Sequence, residues 1–207
     1  MIVIGLVGRI GAGKSTVARM VAARGAEVVD ADAVAHEVLD DPEVRAAVVA
    51  RFGADVVDPA GRVSRAAVAS RVFGPTPEHA AALADLEAIV HPSVRTRIAA
   101  RLAALRAAED ADGRRRVAVL DVPLLVQSGW DAACDRLVVV VCDEPVRQAR
   151  LAARGWRPEQ IASRDRAWER HGGRPLPPAQ AAPVDTSGDP AYTALAVERI
   201  WNALPSR

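Results

Sequence analysis

Lysine is almost missing from this chain. Of its 27 basic residues 26 are arginine, and the single lysine is Lys14. Aromatic residues make up only 3% of the 207 positions, although half of all residues are hydrophobic. A core must therefore be built from Ala, Val, Leu and Ile, and their supply excludes a disordered chain. Two cysteines, Cys134 and Cys142, are too few for a disulfide framework. They are expected as small apolar residues in a reducing compartment. The longest uninterrupted apolar run, residues 137–142, is far too short to span a bilayer. No basic segment precedes the first apolar stretch and no cleavage pattern follows it, so no signal peptide is expected. The formal charge is only +1, with 27 basic against 26 acidic residues, and announces neither nucleic acid nor a membrane as partner. The expectation is a soluble cytoplasmic protein acting on small molecules. Its oligomeric state is not legible, because aliphatic helix faces serve cores and interfaces alike.

What is present reads as an α/β chain. Residues 1–7 (MIVIGLV) form a strand candidate followed by a glycine-rich turn. Residues 14–24 carry Val17, Met20 and Val21 at helical spacing, with Gly25 as the stop. Residues 27–30 (EVVD) predict a second strand and residues 31–39 a second helix, an alternation that implies parallel strands with helical crossovers. Residues 41–112 show helical patterns without a long strand, and Pro92 is expected in the first turn of a helix running to Arg106. Strand signals return at residues 117–120 (VAVL) and 137–142 (LVVVVC), continuous apolar runs that suit a sheet buried on both faces. Residues 147–170 predict arginine-rich helix broken by GWRP at 155–158. Residues 175–183 predict a loop, with a short strand near Val184 and a helix over 191–204 closing the chain. With no internal repeat, one domain is expected over 1–207, since roughly 100–200 residues form a domain. Within it, about 41–112 is expected as a helical insertion and about 147–180 as an arginine-rich lid.

Gly8, Gly13, Lys14 and Ser15 complete GxxxxGK followed by Ser. Ordinary residue frequencies give such a match by accident on the order of once in a hundred chains of this length. Its position between a strand and a helix is the context that a phosphate-binding loop requires. Glycines let backbone N–H groups turn inward around an anion, and the helix N-terminus adds partial positive charge. Gly11, Ala12, Gly13, Lys14, Ser15 and Thr16 are the candidate ATP ligands. Lys14 would reach the β- and γ-phosphates and the Ser15 hydroxyl would bind Mg²⁺. The bland alternative is a glycine-rich turn that happens to precede a lysine. Lysine is a compact point charge on a flexible stem, whereas arginine is a wide planar fork, so this is where arginine would substitute worst. Guanine-specific switch proteins commonly read their base with Asn-Lys-x-Asp, which one lysine at Lys14 cannot supply. A small-molecule kinase is the reading that remains.

An acceptor hydroxyl needs a group to orient it, and VVDADAVAHEV (residues 28–38) offers Asp30 and Asp32. In an extended segment, residues two apart point the same way, so both carboxylates could face one pocket. If a helix begins near Asp32, His36 lies one turn on. Asp32 is equally readable as a helix cap.

The motifs GRIGAGKST, DADAVAHEV, IVHPSV (89–94), VLDVPLLVQSGW (119–130) and VDTSGD (184–189), in this order, resemble the dephospho-coenzyme A kinase family over nearly the whole chain. The resemblance implies transfer of the γ-phosphate of ATP to the ribose 3′-hydroxyl of dephospho-coenzyme A, the last step of coenzyme A synthesis. It implies a P-loop kinase fold, in which helices flank a parallel five-stranded sheet carrying a helical substrate domain and a mobile lid. By the resemblance Asp32 is the catalytic aspartate and Asp30 supports it. His36, His91, Asp121 and Leu124 lie on the substrate side, and Asp121 is a candidate for the Mg²⁺ shell through water. His91 could instead cap a helix or sit partly buried, and Asp121 could cap a turn. Arg147, Arg150 and Arg154 share one helix face, and Arg150 or Arg154, ahead of Arg164, is the candidate lid arginine over the triphosphate. A chain with 26 arginines also shows such stripes on solvated faces. The family usually has glycine at Arg9, glutamate at Gln127, glutamine near Trp168 and asparagine at Thr186, and residues 169–178 are unlike its usual helix. These departures keep open another hydroxyl acceptor, or a nucleotide-binding regulator without catalysis.

Overall fold

The computed structural model describes residues 1–171 and 181–205. Its strands are β1 (Ile2–Val7), β2 (Glu27–Asp30), β3 (Val117–Asp121), β4 (Arg136–Val141) and β5 (Ala181–Asp185). Its α-helices are α1 (Lys14–Ala22), α2 (Ala31–Val38), α3 (Pro42–Phe52), α4 (Arg65–Val72), α5 (Pro77–Asp112), α6 (Glu144–Ala153), α7 (Pro158–His171) and α8 (Pro190–Asn202). The chain divides into two compact units, one of Met1–Asp30 with Ala104–Arg207 and one of Ala31–Ala103.

The first unit holds the sheet, in the order β2-β3-β1-β4-β5, with every recorded pairing parallel. Strands buried on both faces need apolar residues at successive positions. IVIGLV in β1 and VAVL in β3 meet that demand, being buried almost throughout. Ile4, Leu6, Val17, Val119, Val138, Val140, Val184 and Val197 pack as one core, with Trp201 only at its margin. The aliphatic core expected from the shortage of aromatics is the one found. Connections leave β1 and β4 toward opposite edges, so the carboxyl ends of these two adjacent strands form the switch point where α/β sheets bind ligands.

Three expectations shift. Ala181–Pro183, read as loop, belong to β5, and Pro183 is accommodated because β5 pairs only with β4 at the sheet edge. The rest of that loop, residues 175–180, lies outside the described residues. Pro92 lies inside α5, not in its first turn, and the helix runs on to Asp112. A proline there removes one helical hydrogen bond and costs about 3 kcal/mol. Burial at a spacing of four, Val90, Val94, Ile98 and Leu102, carries the helix through on both sides of it.

The second unit is α2, α3, α4 and α5 as far as Ala103. Ser64 caps α4 by accepting the Ala67 N–H at 3.3 Å, and Val44, Val48, Phe52, Val68 and Val72 are buried. Arg97 pairs with Asp41 and Arg101 with Glu37 on its surface. Among the described residues, no helix is long and apolar enough to cross a membrane.

Candidate active site

The loop between β1 and α1 occupies the switch point. Gly13 caps α1 with φ +97°, a conformation that L side chains rarely adopt, and a Cβ there would also meet Thr186 at 3.0 Å. Gly8 passes so close to β4 that a Cβ would come within 2.6 Å of the Val140 carbonyl. Lys14 opens α1, and its Nζ donates to the Gly8 carbonyl at 2.9 Å. Ser15 and Thr16 follow in the first turn. The sequence-predicted ligands 11–16 are therefore one contiguous loop and helix N-terminus.

Two further loop carbonyls are held from outside the motif. Arg147 Nη1 donates to the Ile10 carbonyl at 3.1 Å, and the Thr186 hydroxyl donates to the Ala12 carbonyl at 2.7 Å. Arg150 Nη1 donates to the same Thr186 hydroxyl at 3.0 Å and to Cys142 Sγ at 3.3 Å. The VDTSGD motif singles out Thr186, but no spacing announces its contact with Ala12, 174 positions away in sequence.

The three arginines expected on one phosphate-facing stripe have different fates. Arg147 is 1% exposed and committed to carboxylates, donating to Glu144 and to Asp165 Oδ2, each at 2.7 Å by its Nη2. Arg154 is exposed just beyond the end of α6, and Arg164 is exposed on α7. Arg150 is the one placed beside the loop, through Thr186. The stripe splits because an i,i+3 glutamate and an aspartate from the next helix capture the first arginine before solvent can. Hydrogen bonds from Arg147, then from Gln148, hold the Glu144 carboxyl down at about 2. The same carboxylates raise Arg147 further above the ordinary arginine range. Arg9, inside the phosphate loop, joins the cluster 3.0 Å from Asp165 and 3.6 Å from Glu144.

At the far side of the same sheet, Asp121 ends β3 and Asp30 ends β2, and the two are register partners across the ladder. Leu124 follows with φ +51°, the one non-glycine in the left-handed region among the described residues. Its carbonyl accepts the Ser128 N–H at 2.9 Å and the Ser128 hydroxyl at 3.0 Å, which locks the turn. Gln127 Oε1 is buried without a hydrogen-bond partner among the described residues.

Asp32 and His36 belong to the helical unit. Asp32 is the second residue of α2, not an extended residue, so alternation along a strand does not relate it to Asp30. Nor is it the cap, since the helix already begins at Ala31. Its carboxylate is exposed in the first turn, where the helix dipole favours a negative charge. His36, one turn on, is hydrogen-bonded to Arg65 at 3.2 Å through Nδ1. His91 is exposed in the interior of α5, so it is neither a cap nor a buried structural residue. The spacing of α5 around Pro92 puts it on the solvent side of the buried Val90–Val94 stripe.

Comparison with known proteins decides what this loop belongs to. The family model for dephospho-CoA kinase matches residues 2–168. A curated dephospho-CoA kinase of Methylococcus capsulatus is 45% identical over 163 residues, covering 78% of this chain and 76% of that protein. One from Thermobifida fusca is 37% identical over 211 aligned positions, covering 100% of this chain and 98% of that protein.

The chain belongs to the dephospho-CoA kinase family.

The solved structure titled TT1252 from Thermus thermophilus matches 99% of this chain and 98% of its own, at 29% identity and a TM-score of 0.72. A dephospho-CoA kinase from Campylobacter jejuni shares the fold at 16% identity and a TM-score of 0.63, over 97% of this chain and 95% of that one. Arg9 lies in the phosphate loop and pairs with Asp165, Thr186 holds the loop's Ala12 carbonyl, Gln127 lies three residues after Leu124, and Trp168 is half-buried on α7.

Proposed function

We propose that this chain transfers the γ-phosphoryl group of ATP to the ribose 3′-hydroxyl of dephospho-coenzyme A, giving coenzyme A and ADP. The observation that carries the reading is the glycine-rich loop at the β1–α1 junction, with Lys14 at its end, in a member of this kinase family.

Phosphoryl transfer asks little covalent chemistry of the protein and much positioning. Loop N–H groups and the start of α1 cradle the triphosphate, and Lys14 exchanges its Gly8 carbonyl for phosphate oxygens. Arg150 supplies charge at the same side. The donor set fits Mg²⁺ carried in with the nucleotide. Among the described residues no cluster of three or more His, Cys, Asp or Glu forms a cage, and Mg²⁺ on phosphates needs only one or two protein donors. Ser15 and Asp121 would be those donors, and the ion would supply neutralisation of charge on the phosphates. Asp32 orients the 3′-hydroxyl and accepts its proton as the new O–P bond forms and the bond to the ADP oxygen breaks. Asp30 supports the acceptor side, with His36 and Leu124 against the substrate. The acceptor is a small molecule, neither nucleic acid nor membrane, and two unpaired cysteines suit a cytoplasmic enzyme.

The test is an assay with Mg-ATP and dephospho-coenzyme A in which the product is identified by mass. Coenzyme A is expected from the native chain, with turnover lost in both Lys14→Ala and Asp32→Asn. Removing one such electrostatic contact typically costs about 10²–10³ in kcat. Nucleotide binding should survive Asp32→Asn and fail in Lys14→Ala. Full turnover in Asp32→Asn would remove that residue from the chemistry, and ATP binding with no coenzyme A from the native chain would move the search to another acceptor.

A further inference from the structure

A phosphate cradle works only if its N–H groups point inward, and in a trans peptide the C=O of one residue and the N–H of the next point in opposite directions. Whatever holds a loop carbonyl outward therefore aims the following N–H at the anion. Two carbonyls of this loop are held by residues outside it, Ile10 by Arg147 at 3.1 Å and Ala12 by Thr186 at 2.7 Å, whereas Gly8 accepts Lys14 Nζ at 2.9 Å, a bond that Lys14 gives up to phosphate. The N–H groups that the two outside anchors aim belong to Gly11 and Gly13.

Thr186 differs from Arg147 because it holds both the loop and Arg150. It is 4% exposed, and its own N–H donates to the Val141 carbonyl at 3.0 Å, which fixes its backbone to β4. A hydroxyl has one proton. The Ala12 carbonyl at 2.7 Å takes it in preference to the Val141 carbonyl at 3.2 Å. The lone pairs of that oxygen remain for Arg150 Nη1 at 3.0 Å, and the Thr186 carbonyl accepts Arg150 Nη2 as well. One buried hydroxyl thus sets the direction of the Gly13 N–H and the place of the arginine beside it.

We propose that Thr186 is a positioning residue for phosphoryl transfer: its hydroxyl, through the Ala12 carbonyl, points the Gly13 N–H at the triphosphate and at the same time seats Arg150. The inference rests on the reading of residues 8–15 as the triphosphate site. Thr186 touches no reacting atom, and its effect passes through the loop and the arginine.

The test compares Thr186→Val, which keeps the shape and removes the hydroxyl, with Thr186→Ser, which keeps the hydroxyl. Mg-ATP and Mg-ADP affinities are measured by calorimetry, and both KM values and kcat in the coupled assay, with thermal unfolding of each variant as control. Losing a buried hydrogen bond to a charged group while orphaning a carbonyl is expected to weaken ATP binding about tenfold or more in Thr186→Val. The KM for dephospho-coenzyme A should hold, and Thr186→Ser should recover ATP affinity to within about threefold. Native-like ATP affinity and kcat in Thr186→Val would overturn the proposal. So would equal impairment of the Ser and Val variants, because the methyl group and not the hydroxyl would then carry the effect. If Thr186→Val fails to fold, Thr186→Ser against Thr186→Ala makes the same comparison. Should the native chain make no coenzyme A, the acceptor reading fails by itself, and the ATP affinities still decide the role of Thr186.

Discussion

The two cysteines show how far local surroundings separate identical side chains. Cys134 packs beneath β1, where its sulfur would touch any Cβ placed on Gly5 at 2.7 Å, and it donates to the Trp130 carbonyl at 3.3 Å. Burial first, then the negative charges of Asp131 and Asp135, push its thiol up from 9.0 to about 12. At neutral pH it is a protonated, inert thiol. Cys142 is half-buried at the end of β4, beside Arg150. A thiol reagent at pH 8 should therefore modify Cys142 well ahead of Cys134 in the native protein, although both are partly exposed, and at similar rates once it is unfolded. The raised value also has a sign. The unfolded thiol releases its proton above about 9 while the folded one keeps it, so Cys134 favours the fold fully below pH 9 and loses that contribution as pH climbs toward 12. Native protein and Cys134→Ala, unfolded by urea across this window, should differ in slope, with a total on the order of 2–4 kcal/mol. Parallel curves would show that the thiol stays solvated. At this scale, the sequence made the phosphate loop legible, because its residues are contiguous. Thr186 and Arg147 were invisible as anchors, since a hydrogen bond joining positions 174 or 137 residues apart leaves no local pattern.

Between elements, the decisive object is the ion cluster that binds the phosphate loop to α6 and α7. Arg147 is buried against Glu144 and Asp165, while Arg9 reaches Asp165 from the loop. Removing one partner of a buried pair leaves an uncompensated charge, typically a loss of 3–5 kcal/mol. Arg147→Met should accordingly destabilise the protein by about 3 kcal/mol in urea unfolding. The Arg147→Met, Asp165→Asn double variant should regain part of that loss, because among the described residues Arg9 is otherwise the one cation left facing the largely buried Asp165 carboxylate. Simple additivity of the two would separate the residues energetically. Glu144 gives the acid side of the same cluster. Held at about 2 against an ordinary 4.5, its carboxylate favours the fold above pH 4.5 and loses that contribution as pH falls toward 2. Glu144→Gln should flatten that acid limb, and an unchanged limb would mean solvent screens the pair. Strands and crossover helices were readable from β-branched runs and 3.6-residue spacing. The long helix was misjudged at Pro92, because a local breaker rule takes no account of the buried stripe from Val90 to Leu102 that outweighs it.

At the scale of the whole chain, the candidate residues fall in two compact units that the sequence could only divide by composition. The sheet unit carries the loop, Arg150, Thr186 and Asp121, while Ala31–Ala103 carries Asp32, His36 and His91. If nucleotide and acceptor use these sets, each ligand should protect its own stretch of backbone from hydrogen exchange. Mg-ATP is expected to slow exchange in peptides covering residues 8–16 and 144–153 and around Thr186. Dephospho-coenzyme A is expected to slow it within 31–103 and at residues 121–128. A ligand at a hundredfold its Kd adds about 2.7 kcal/mol to stability, enough to read in such peptides and in the melting temperature. Lys14→Ala should erase the first pattern and leave the second. Acceptor protection confined to the sheet unit would contradict a substrate role for the helical residues and leave Asp32 without its hydroxyl. Retention of both patterns in Lys14→Ala would mean that the one lysine among 26 arginines is not what holds the triphosphate.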